Sequence, residues 1–280
     1  MKLLGLLVFI CMTSAPMQAQ TPQRPKLVVG LVIDQMRWDH LHRFSNRYTA
    51  DGFNRLLKDG FSCDNTFIPY TPTYTAPGHA SVYTGSVPAL NGIMGNSWYS
   101  KELGRVMYCV EDNSVQPVGT ASAAGRMSPK NLLSTTISDE IRLAQNFRNK
   151  TIAIALKDRG AVLPGGHTAN AAYWFDNASA GFISSSFYMN ELPAWLKAFN
   201  ARRLPDVYMR QPWNTLFPIE SYTQSTADNK PYESNLPGED NTFPHQADTT
   251  KANRYEFFKY IPAANTYTFE MAKAALAGER

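Results

Sequence analysis

The residues that offer chemistry begin in a hydroxyl-rich, almost uncharged stretch, "YTPTYTAPGHASVYTGS", from Tyr70 to Ser86. Pro77 suits the first turn of a helix, where its fixed φ and missing N–H cost nothing. Thr75 therefore stands at or just before the positive end of a helix dipole, where backbone N–H groups can hold an anion such as phosphate. A threonine hydroxyl is protonated near neutral pH and attacks poorly, but a divalent metal on its oxygen would lower its pKa and make it a nucleophile. The plainer alternative is a threonine N-cap, and Thr71, Thr73 and Ser81 compete for either role. His79 has no partner at helical spacing and reads as a structural histidine rather than a ligand.

Three further groups carry potential chemistry. Asp34 directly follows an apolar run, so it is either a carboxylate metal ligand on a rigid strand or an ordinary turn residue. In "LKDRG", Lys157 and Arg159 point to one face and Asp158 to the other if the preceding strand continues through them. Two cations on one face suit a phosphoryl dianion, with arginine able to grip two oxygens; a solvated basic turn is the alternative. Asn96, in "GIMGNSWY", offers an amide to an oxygen anion, or serves as a turn residue.

These groups need elements to position them. "KLVVGLVI" (Lys26 to Ile33) is continuously apolar and predicts a central strand covered on both faces. "TADGFNRLLKDG" predicts an amphipathic helix with a glycine stop, and "FSCDNTF" a second strand. "STTISDEIRLAQNF" predicts a helix capped by Ser134 or Thr135. "TIAIAL" (Thr151 to Leu156) reads as another buried strand, and "NAAYWF" with "GFISSSFYM" as a strand pair. "PAWLKAFNARR" starts a helix with Pro193 in its first turn, and "TYTFEMAKAALAGER" is helical. Residues 204–262 carry Pro, Asn, Asp, Ser and aromatics with little periodicity, which predicts an irregular cap or insertion rather than core. Helices alternating with buried strands predict an α/β fold with a mostly parallel sheet. Ligands in such sheets bind beyond the carboxyl ends of strands.

The 280 residues, 44% of them hydrophobic, suffice for a sizeable core. The formal charge of +4 is spread without any lysine or arginine block, which gives no case for nucleic acid. "MKLLGLLVFICMTSAPMQAQ" reads as a secretory signal over residues 1–19, with Lys2 as the positive start and cleavage after Ala19. Its apolar stretch, Leu3 to Met12, is too short for a stable membrane anchor. Export to a periplasm or the medium is the expectation. Cleavage removes Cys11 and leaves Cys63 and Cys109, for which a disulfide and two small buried thiols are equally open. Neither has a close Cys or His partner of the zinc-ribbon kind.

Taken in order, "VIDQMRWDHL", "TPTYTAPGHASVYTGSVPALNGIMGNSWY" and "IALKDRGAVLPGG" resemble the alkaline phosphatase superfamily. The nearest branch is the one shared by nucleotide pyrophosphatase/phosphodiesterases and a group of exported bacterial phosphate monoesterases. The resemblance spans most of Val28 to Gly166 and implies an alkaline-phosphatase-like three-layer sandwich with a mostly parallel central sheet. It implies two zinc ions, Asp34 binding one of them, and Thr75 as the metal-bound nucleophile that becomes phosphothreonine. Asn96 matches an asparagine that contacts a phosphoryl oxygen. Lys157 and Arg159 match a pair present in the monoesterase group, which makes small-molecule phosphate monoesters the expected substrates. Sulfatases of the superfamily need Cys or Ser in "C/S-x-P-x-R", where this chain has "TAPGH". The segments that complete the family's metal set, resembling "D-x-x-G-H", "D-H-G" and a late histidine, do not occur here, and His245 in "FPHQAD" does not match them. The expectation is therefore that 26–280 is the N-terminal part of a catalytic domain, incomplete at its C-terminus and nearly inactive alone. A phosphodiesterase or nucleotide pyrophosphatase, and a non-catalytic phospho-ligand binder, are the competing expectations.

Overall fold

The computed structural model describes residues 25–236 and 241–279, so the expected signal segment 1–19 lies outside the described residues. The described residues up to Ile33 and those from Asp34 onward belong to two separate compact units. In the first, residues 27–33 adopt no regular element, and Leu27, Val28, Val29 and Leu31 are exposed. The strand expected from Lys26 to Ile33 is not formed. A strand exists only through its hydrogen-bonded neighbour, and among the described residues none pairs with this run.

The second unit opens with the short helices α1 (Asp39–Arg43) and α2 (Phe53–Asp59). Residues 61–67 follow without the strand expected of "FSCDNTF", and they too lie exposed and unpaired. Next come α3 (Thr75–Thr84), α4 (Pro88–Asn91) and a hairpin of β1 (Ser97–Ser100) and β2 (Arg105–Tyr108). The chain continues through β3 (Pro117–Val118), α5 (Ile137–Ala144), β4 (Ile152–Ala155) and α6 (Asp158–Gly165). It then forms β5 (Ala171–Asp176), β6 (Gly181–Ser185), α7 (Ala194–Ala201), α8 (Leu204–Tyr208), α9 (Arg254–Phe258) and α10 (Pro262–Gly278).

The main sheet has strand order β3-β6-β5-β4. β4 and β5 are parallel, joined through α6, whereas β5–β6 and β3–β6 are antiparallel. The described sheet is thus mixed rather than mostly parallel, because the short turn after Asp176 forces a hairpin where a crossover would be needed for parallel pairing. Side chains of β5 alternate between two cores. Tyr173 and Phe175 join Phe182, Leu196, Phe199, Phe258, Tyr267 and Met271 on one face. Trp174 and Ala172 join Ala76, Ala80, Ile93, Ala161, Val162 and Ile183 on the other. Helices cover both faces of β5, which makes the α/β sandwich.

Two local expectations shift. The cap of α5 is Thr136, not Ser134 or Thr135. Its hydroxyl accepts the Asp139 N–H at 3.1 Å while the Asp139 carboxylate accepts the Thr136 N–H at 2.9 Å, a reciprocal capping box worth about 1 kcal/mol. Pro193 is the N-cap of α7 rather than part of its first turn. Residues 204–262 contain α8 and α9, and Met209, Tyr255, Phe257 and Phe258 from this stretch are buried in the first core. Its middle, from 214 to 236, is mostly exposed and irregular.

Candidate active site

Two helix N-termini converge on Asp34. Thr75 is the first residue of α3 and Lys157 the N-cap of α6. The Thr75 hydroxyl donates to Asp34 Oδ2 at 3.1 Å, and Lys157 Nζ donates to the same oxygen at 3.2 Å. Strand β4 does not continue through "LKDRG", so the condition for strand alternation there is not met. The strand ends at Ala155 and Asp158 already begins the helix, so Lys157 and Arg159 are not placed on one face by strand alternation. Helix geometry places them instead: Lys157 turns to Asp34, and Arg159 turns to Tyr108, donating Nη1–H to its hydroxyl at 2.7 Å.

Asn96 lies beside the nucleophile candidate. Its side-chain oxygen accepts the Ala76 N–H at 2.9 Å, which leaves its amide hydrogens as the donating end. That bond also alters the backbone anion cradle expected at this helix start. The Ala76 N–H is taken, Pro77 has none, and the Gly78 N–H donates to the Tyr74 carbonyl at 3.0 Å. The Ala76 and Gly78 N–H groups are therefore not free to hold an anion. His79 sits inside α3 with Nδ1 2.8 Å from the Thr75 carbonyl, the structural placement expected of it.

The chain after Asp34 turns sharply, with Gln35 at φ 61. A non-glycine residue in this left-handed region costs roughly 1–2 kcal/mol, a strain held next to the carboxylate. Burial alone would raise the Asp34 pKa, but the Lys157 hydrogen bond and charge, with the Thr75 hydroxyl, outweigh it and hold the carboxyl below its usual range. The carboxylate is therefore ionised at neutral pH.

Arg159, Tyr108 and Asp158 form a second, adjoining cluster. Tyr108 Oη donates to Asp158 Oδ1 at 2.5 Å, and Arg159 Nε is buried with no partner. Neither Tyr108 nor Asp158 was legible as a site residue, since a tyrosine in a four-residue strand looks like any β-former. Cys109, next in the chain, is buried and Cys63 exposed; both are free thiols.

As to metal, Asp34 Oδ2 and Thr75 Oγ1 are close enough to share one cation and suit its oxygen chemistry. Among the described residues no group of three or more His, Cys, Asp or Glu gathers around any point. The pair fits as half of a tetrahedral donor set.

The α/β sandwich thus carries a threonine hydroxyl, a carboxylate and two cations at neighbouring helix starts. Residues 28–258 match the type I phosphodiesterase / nucleotide pyrophosphatase family model, and the chain belongs to that family. It is 58% identical over 262 residues to alkaline phosphatase PhoV of Synechococcus elongatus, covering 93% of this chain and 48% of that protein. It is 51% identical over 268 residues to a calcium-transporting ATPase of Myroides odoratus, covering 95% and 49%. Alkaline phosphatase PafA of Elizabethkingia meningoseptica is 47% identical over 284 residues, covering 99% and 51%. A crystal structure of PafA superposes with a TM-score of 0.87 over 91% of this chain and 50% of that one. The chain spans about half the length of these relatives.

Proposed function

We propose that the intact protein is an exported, metal-dependent alkaline phosphatase that hydrolyses small phosphate monoesters through Thr75. The observation that carries this is the meeting of the Thr75 hydroxyl and the Lys157 ammonium on one oxygen of Asp34. The names of the PhoV and PafA relatives support the same activity.

Asp34 and Thr75 would hold one divalent cation, zinc by the family resemblance, whose Lewis-acid charge favours the ionised hydroxyl. The hydrogen bond to Asp34 directs the hydroxyl proton away from the oxygen face that attacks. Thr75 Oγ1 then releases its proton to solvent and bonds to phosphorus as the ester P–O bond breaks, the leaving oxygen taking a proton from water. The phosphothreonine is cleaved by water in a second displacement that returns the threonine hydroxyl and releases phosphate. Lys157 uses one of its three N–H donors on Asp34 and has two left for phosphoryl oxygens. Asn96 offers its amide, and Arg159 a planar fork suited to two oxygens of a dianion. This concentration of positive charge favours a monoester over a diester, which carries one charge fewer. The test is kcat/KM of the intact protein for a mono-aryl against a bis-aryl phosphate, before and after Arg159→Ala. The reading predicts a monoester preference that narrows in the variant. A preference for the diester would make the protein a phosphodiesterase instead.

A further inference from the structure

The β1–β2 hairpin brings two anchoring residues to its base. Asn96, just before β1, takes the Ala76 N–H; Tyr108, the last residue of β2, reaches the start of α6. The base is closed by the Cys109 N–H donating to the Asn96 carbonyl at 3.0 Å and by the pairing of Ser97 with Tyr108. Glu111 Oε2 accepts the Tyr108 N–H at 3.0 Å, so the tyrosine is fixed at its backbone as well. One hairpin therefore touches both the Thr75 helix and the Arg159 helix.

The Tyr108 hydroxyl acts as a bridge. It donates to Asp158 Oδ1 at 2.5 Å and accepts from Arg159 Nη1 at 2.7 Å. The guanidinium carbon lies 5.9 Å from the ring centroid. Asp158 Oδ1 accepts the Arg159 backbone N–H at 2.6 Å but does not hold the guanidinium by itself, lying 4.0 Å from Nη1, beyond hydrogen-bond reach. Burial, then the Asp158 charge, pushes the phenol far above its ordinary range. The hydroxyl thus stays protonated and keeps its donor pointed at Asp158 and its lone pair at Arg159. Arg159 Nε is buried without a partner, and an unsatisfied buried N–H is costly.

We propose that Tyr108 is a positioning residue for Arg159, holding the guanidinium in the orientation that meets a phosphoryl dianion, with Asp158 orienting the hydroxyl. This rests on the monoesterase reading above. Tyr108→Phe keeps the ring and removes only the bridge, so the arginine is free to swing across the gap to Asp158.

The test is a double-mutant cycle in the intact protein, with inorganic phosphate as the probe by calorimetry and an aryl monoester for kcat/KM. Tyr108→Phe is expected to weaken phosphate binding and lower kcat/KM about tenfold, the worth of one hydrogen bond to a charged group. In an Arg159→Ala background the same change is expected to add nothing, which a merely structural tyrosine would not produce. An equal loss in both backgrounds, or no loss with Arg159 present, overturns the proposal. If Tyr108→Phe fails to fold, Asp158→Ala takes its place, with the same loss and the same dependence on Arg159 expected, and independence from Arg159 overturning it. Phosphate binding needs no turnover. A protein that proves to prefer diesters therefore fails the monoesterase reading, while the cycle still decides the role of Tyr108.

Discussion

Lys157 separates stability from function most sharply. Its Nζ lies 3.2 Å from Asp34 Oδ2, with the two side chains 46% and 32% exposed. Coulomb's law at a near-surface effective dielectric of about 20 gives a gross attraction of roughly 5 kcal/mol. Most of this is offset by desolvation and by the entropy of fixing a long side chain, and exposed pairs contribute only about 0.2–1 kcal/mol net. Lys157→Met, which keeps the aliphatic stem, should therefore cost less than about 1 kcal/mol in urea unfolding at pH 7. Because Lys157 helps hold the Asp34 pKa below its unfolded value, its contribution is present above the unfolded pKa of about 3.9 and is lost as pH falls through the lower folded value. The stability difference between the two proteins should thus be level from about pH 5 to pH 8 and shrink below about pH 4. Catalysis should respond far more. A charge-assisted bond to the phosphoryl group is worth about 1.5–3 kcal/mol, so kcat/KM for a mono-aryl phosphate should fall roughly 10- to 100-fold. A variant that loses several kcal/mol of stability yet keeps its kcat/KM would make Lys157 a structural pair only and remove it from phosphoryl binding.

Burial, and to a lesser degree the Asp158 charge, pushes the Cys109 thiol up to about 12, so native alkylation near pH 8 should label the Cys63 peptide and spare Cys109 until the protein unfolds. Labelling of both at equal rates would show that Cys109 is accessible. Asp139 is fully buried and accepts bonds from Thr136 and Thr168, at backbone and hydroxyl of each, with His167 Nδ1 at 3.6 Å. Burial raises its pKa, but those donors more than compensate and hold it well below the usual range. Asp139→Ala should destabilise by about 2–4 kcal/mol at pH 7, measured by urea unfolding. Since a depressed pKa stabilises above about pH 4 and loses that contribution on acidification, the deficit should narrow toward pH 2; a deficit independent of pH would assign the loss to packing alone.

How much could be read before the fold was seen depended on the range of the interaction. β4, β5 and β6 were legible because their apolar, β-branched and aromatic runs are bounded by polar turns, and α3 because Pro77 marks its first turn. Lys26 to Ile33 has an equally strong strand pattern, yet that pattern records only what a sheet would accept, not whether a partner strand lies beside it. The Thr136 cap was available in the sequence: a capping box needs an acid three residues on, and Asp139 meets that for Thr136 but not for Ser134 or Thr135. Phe257 and Phe258 reach the core from a stretch whose composition resembles a loop, because α9 is too short to display helical periodicity. The site itself was legible only as separate candidates. Asp34 meets Thr75 across 41 residues and Lys157 across 123, and no local spacing encodes such a meeting. Arg159 was legible as a cation, but its dependence on Tyr108, 51 residues earlier, was not.

The proposed function requires that Thr75 Oγ1 take the phosphoryl group. Acid quenching of the intact protein during turnover of an aryl phosphate, followed by peptide mapping, tests it most directly. Phosphate is expected on the peptide holding Thr75, as phosphothreonine, and none trapped in Thr75→Ala, whose turnover should collapse. Phosphate trapped on another residue, or Thr75→Ala turning over at the wild-type rate, would contradict it.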